Sequence, residues 1–177
     1  MAGPFYVVQA GLGGFDLRKI AILLGAQTIG ALMSNFLWGW WGDHRGKQSL
    51  LQIIAFGRMV PPAAILIVPF APVTGAAPLL VLYASIFFVL GALANGLTIA
   101  VIGYLMEISP DERRPAYSGY FNAITAPAYL LPVLGGAIAA SFGFAAVFAI
   151  SMVAAMLQYL ILSRPPIGAG RRPGKSP

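Results

Sequence analysis

The chain has 177 residues, of which 59% are hydrophobic and only 9% charged, with a net charge of +6. Soluble domains carry about 25% charged residues, and so few charges cannot cover the surface of an 18.6 kDa globule. That excludes a water-soluble enzyme and, despite the basic balance, a nucleic-acid partner. With no Cys and a single His, the chain has no disulfide framework and no zinc centre, and no cofactor is expected. The composition is that of an integral membrane protein.

In chain order, Met1 to Phe15 is uncharged, apolar and Gly-rich but too short to cross a bilayer. It lacks the cationic start, apolar core and cleavage site of a signal peptide. It reads as the outer end of a helix whose beginning is missing, so the chain is expected to be a fragment of a six-helix unit. Ile20 to Gly42 is free of charge, as are Met59 to Met106 (48 residues) and Pro115 to Ser163 (49 residues). A span needs about 20 apolar residues, so the two long runs each hold two. Pro69, Pro72, Gly75 and Pro78 interrupt one, and Ser141 with Gly143 the other. Five helices are predicted, at about 20–41, 49–70, 78–106, 115–139 and 142–163. A polytopic all-α bundle follows, because backbone amides in hydrocarbon must be satisfied within the segment. The basic tail 164–177 is Pro- and Gly-rich and reads as disordered.

If the loops alternate sides, one side holds eight cations: Arg45, Lys47, Arg113, Arg114, Arg164, Arg171, Arg172 and Lys175. The other holds Arg18 and Lys19. Cytoplasmic loops carry the excess of Lys and Arg, which puts the 42–48 loop, the 107–114 loop and the C-terminus inside. Trp38, Trp40 and Trp41 crowd the same end as interface anchors. Arg58, the one charge embedded in a span, reads as a snorkelling anchor or a partner of the cytoplasmic cluster, with binding of an anionic group as the alternative.

The first cytoplasmic loop reads Gly39-Trp40-Trp41-Gly42-Asp43-His44-Arg45-Gly46-Lys47. Gly39, Asp43, Gly46 and Lys47 resemble the loop signature of the major facilitator superfamily, while His44 and Gln48 stand where basic residues are common. Pro110-Asp111-Glu112-Arg113-Arg114 is similar to that family's acidic-then-Arg turn, and Ser118-Gly119 and Leu134-Gly135-Gly136 to the helix after it. The resemblance covers nearly the whole chain. It implies the C-terminal half of a twelve-helix secondary transporter in the bacterial inner membrane, moving a small solute by alternating access. Its partners would be the lipid membrane, the small-molecule substrate, and the missing N-terminal half or a second copy of the chain.

The residues alone suggest a role for the loops: Asp43 near Arg45 and either Arg113 or Arg114 would close the inner side through ion pairs. The alternative is that these charges set topology and stay solvated. On the fourth helix Ser118, Asn122, Thr125 and Tyr129 recur on one face. Gln27, Ser34 and Asn35 share a face on the first helix, and Asn95 and Thr98 on the third. Two readings stand for these residues: a polar translocation path or hydrogen bonds that glue helices together. Gly25, Gly30, Gly91, Gly96, Gly135 and Gly136 read as points of close helix approach. An intramembrane enzyme lacks its clustered carboxylates or second imidazole, so no catalytic residue is assigned. A structural subunit of a membrane complex is the rival reading.

Overall fold

Where the sequence is apolar between charges, the backbone is helical, since a helix keeps every amide paired within one hydrocarbon-embedded segment. The computed structural model of the protein describes residues 3–70, 72 and 75–163; the tail 164–177 lies outside them. No strand occurs among the described residues. The α-helices are α1 Gly3–Leu12, α2 Leu17–His44, α3 Lys47–Gly57, α4 Val60–Ile67, α5 Ala76–Ile108, α6 Arg114–Thr125 and α7 Leu131–Leu162. Short 3-10 turns, Val68–Phe70, Asp111–Arg113 and Ala126–Leu130, extend α4, precede α6 and join α6 to α7.

Helix boundaries differ from the apolar runs for local reasons. The Asp16 carboxylate accepts a hydrogen bond from the Lys19 amide at 3.0 Å, an N-cap that starts α2 at Leu17 and draws Arg18 and Lys19 into its first turn. The run predicted as one helix over 49–70 is broken after Gly57. Pro61 and Pro62 carry no N–H, so the carbonyls of Gly57 and Arg58 lose the donors a continuous helix would supply. Arg58 caps α3, and α4 starts again with this proline pair in its first turn.

The segment Asp111–Leu162 is helical over 52 residues. At about 1.5 Å per residue it would be more than twice as long as a bilayer core of about 30 Å is thick if it were straight. It bends at Gly143, with φ 80° and ψ 169°, a backbone conformation essentially confined to glycine. Contacts show that the arm after the bend crosses the bundle from one end to the other. The Phe144 ring lies 6.2 Å from Phe5 on α1. At the far end Gln52 Nε2 donates to the Leu162 carbonyl at 2.8 Å, and Tyr159 meets Phe56 at 5.6 Å. With α2, α3–α4 and α5, the folded segment completes five passages.

The α2–α5 seam is the tightest in the bundle. A Cβ at Gly30 would strike the Phe88 carbonyl, and one at Gly91 would strike the Gln27 carbonyl and the Ala31 amide. Gly96 lies flat under the Trp38 indole, whose Nε1 donates to the Ala92 carbonyl at 2.8 Å. These three glycines fit the close-approach expectation; Gly25 and Gly136 have nothing within 4 Å of a notional Cβ. Two apolar clusters flank the middle of the bundle. One gathers Trp38, Leu50, Leu51, Ile54, Leu93 and Ala100 toward the 42–48 loop. The other gathers Tyr6, Phe15, Leu23, Ile65, Tyr83, Phe87, Val147 and Phe148 at the opposite end, with Tyr6 on Phe148 at 4.9 Å and Phe15 on Tyr83 at 5.0 Å.

Candidate functional site

A cavity of about 520 Å³ opens between these clusters. Its wall is largely apolar, formed by Phe87, Leu90, Leu93 and Leu97 of α5 with Pro61 and Pro62 of α4. Five polar side chains break that wall: Tyr6 from α1, Gln27 from α2, Arg58 at the α3–α4 break, and Ser151 and Gln158 from α7. Gln27, Ser151 and Gln158 are half-buried, Tyr6 is buried, and Arg58 is exposed to the cavity. A ligand of ordinary size fits such a space, since small-molecule sites run to about 300–1,000 Å³ with an apolar lining and few polar groups.

Arg58 is not the edge anchor that the sequence suggested. It is the twelfth residue of the 24-residue passage Lys47–Phe70, midway along that helix and about 16 Å of helix from Lys47. Neither ion pair among the described residues involves it: those join Lys47 to Asp43 and Arg114 to Asp111. It stands at the break the two prolines leave, its amide still donating to the Ile54 carbonyl at 2.9 Å.

Of the residues assigned to a polar path, Gln27 alone lines this cavity. Asn95 Nδ2 donates to the Asn35 Oδ1 at 2.8 Å and to the Ala31 carbonyl at 3.1 Å, so this pair ties α2 to α5. Ser34, 6% exposed, is held on the Ala31 carbonyl of its own helix at 3.0 Å. Thr98 Oγ1 donates to the Ala94 carbonyl and Thr125 Oγ1 to the Phe121 carbonyl, each within its own helix. Ser118, Asn122 and Tyr129 are exposed, and no residue from Arg114 to Leu130 is buried. Ser151 and Gln158 were missed. They lie seven residues apart on the last helix, the same one-face spacing that singled out Asn122 and Tyr129.

At the 42–48 loop Lys47 Nζ donates to Asp43 Oδ1 at 2.8 Å, and at the next loop Arg114 pairs with Asp111 at 2.7 Å. The pairing expected between the loops, Asp43 with Arg113 or Arg114, is absent among the described residues. Each carboxylate is met first by a cation three or four residues along its own chain. Arg45 caps α2, its amide on the Trp41 carbonyl and its guanidinium over the Trp41 ring at 5.8 Å. Gly46, at φ 82°, makes the turn into α3, and Gly39 has open space around it. His44 Nδ1 lies 2.8 Å from the Trp40 carbonyl, its ring stacked on Trp40.

An all-helical, membrane-spanning bundle with a glycine-rich charged loop between two of its passages is the class these features define. The family described as the Major Facilitator Superfamily matches residues 1–176, and the chain belongs to it. It is accordingly an integral membrane protein of a transporter family. Comparisons with curated proteins and with solved structures find no match.

Proposed function

We propose that the protein acts as the C-terminal six-helix half of a secondary transporter, moving a small solute by alternating access. The observation that carries this reading is the stretch from Arg114 to Leu130, which buries nothing within the chain. It presents Asn122 and Tyr129 together with Tyr120 and Ile124, which are 76% and 70% exposed. Asn is costly against lipid, so the side of this segment that carries Asn122 and Tyr129 belongs against a partner, either an N-terminal half or a second copy, with the solute path between them. The 42–48 and 107–114 loops lie on the cytoplasmic side of a bacterial plasma membrane. There Asp43, Lys47, Arg113 and Arg114 exchange partners as the inner side opens and closes.

The test uses single cysteines in the naturally Cys-free chain, reconstituted in proteoliposomes. Asn122→Cys is expected to react with an impermeant maleimide from either side, in proportions that a transported solute changes. Gln48→Cys reacts from the inside and Ala77→Cys from the outside. A position 122 that reacts equally with and without every solute, in a chain that purifies only with fixed partners, establishes a structural subunit instead.

A further inference from the structure

Arg58 is a full charge midway along a membrane passage, and among the described residues no carboxylate pairs with it. The chain holds five acidic residues, Asp16, Asp43, Glu107, Asp111 and Glu112, and all lie at helix ends. Asp16 caps α2, Asp43 pairs with Lys47, and Asp111 pairs with Arg114. Snorkelling does not relieve the charge, because either edge of a core about 30 Å thick is about 15 Å away, beyond the reach of an arginine stem. An ionisable residue at that depth faces a cavity or a partner and marks a pathway, and here it faces the 520 Å³ cavity. Gln27, Ser151 and Gln158 supply neutral hydrogen-bonding groups in the same space, while Phe87 and Leu90 supply an apolar surface.

We propose that this cavity binds a small amphiphilic organic anion, its acidic head on the Arg58 guanidinium and its apolar body against α5. The planar guanidinium matches a carboxylate or phosphonate with two parallel hydrogen bonds. The apolar wall rejects a fully hydrated inorganic ion, since nothing on that side replaces its water. The ligand's role as cargo rests on the transporter reading above; its binding does not.

The 177-residue protein in nanodiscs of phosphatidylcholine is titrated with phenylacetate, phenylphosphonate, phenylacetamide, phenethylamine and inorganic phosphate, with thermal stability and equilibrium dialysis as readouts. The two organic anions are expected to bind and raise the melting temperature, and the other three to leave it unchanged. Arg58→Gln weakens phenylacetate binding at least tenfold, and Arg58→Lys retains part of it. Ala154→Phe fills the cavity without touching the charge and also abolishes binding, which keeps the proposal testable if Arg58→Gln fails to fold. Equal binding of phenylacetamide, or phenylacetate binding unchanged by both Arg58→Gln and Ala154→Phe, overturns the site. So does displacement of phenylacetate by phosphatidylglycerol in the discs, which assigns Arg58 to a lipid headgroup. Phenylacetate binding without flux in proteoliposomes refutes the transporter and keeps the site; flux of solutes regardless of charge does the reverse.

Discussion

Gly91→Ala is the sharpest test of how α2 and α5 meet. The added methyl lands on the Gln27 carbonyl and the Ala31 amide. These are backbone atoms that cannot rotate aside, so the helices must part. Overpacking of this kind costs about 1–3 kcal/mol. Parting also stretches the bonds from Trp38 to Ala92 and from Asn95 to Ala31 and Asn35, each worth about 0.6 kcal/mol in a membrane protein. Alanine returns about 0.8–1.0 kcal/mol of helix propensity over glycine, which leaves a net loss of about 2–4 kcal/mol. The assay is equilibrium unfolding in mixed micelles with increasing dodecyl sulfate, followed by tryptophan emission, since Trp38 is packed on the seam. Gly25→Ala is the control: it has the same propensity gain and nothing within 4 Å, so it holds or slightly raises stability. A Gly91→Ala protein that unfolds with the wild type, or a Gly25→Ala protein that suffers equally, would refute the close-packing argument.

Asn95→Ala removes two interhelical hydrogen bonds at about 0.6 kcal/mol each, so the same titration should register a loss of about 1 kcal/mol. Gly143→Ala forces a side chain into a conformation that costs about 1–3 kcal/mol; the loss should appear in unfolding and as faster proteolysis near the bend, whereas Gly136→Ala, with open space around it, shows neither. Asp43→Asn breaks one exposed pair and should leave the unfolding midpoint unchanged while altering the labelling of Asn122→Cys; an equal fall in stability would mean that the pair is structural.

Charge placement made the architecture readable. Hydrocarbon tolerates few charges, so the uninterrupted stretches around Leu23, Phe87 and Val147 had to be embedded, and embedding requires helix. Gly143, with Ser141, was legible as the place where the run folds back, though not that the bend would occupy a single residue inside otherwise continuous helix. The candidate site was harder to see for two physical reasons. An Asn on a membrane helix has a partner somewhere, but its one-dimensional spacing does not distinguish a helix contact from a lining position; Asn95 and Asn35 turned out to satisfy each other. Arg58 follows an apolar run and precedes a longer one, so it looked like a border marker. Only the vacant volume left where Pro61 and Pro62 interrupt the helix gives it a different meaning.

Bulky side chains crowd both ends of the bundle, Trp38 with Leu50 at one and Tyr6 with Phe148 at the other, and the hollow between them is lined from α1, α2, α4, α5 and α7. Its wall draws on Gly3 and Tyr6 near one end of the chain and on Ser151 and Gln158 near the other, so a shift of either α1 or α7 reshapes it.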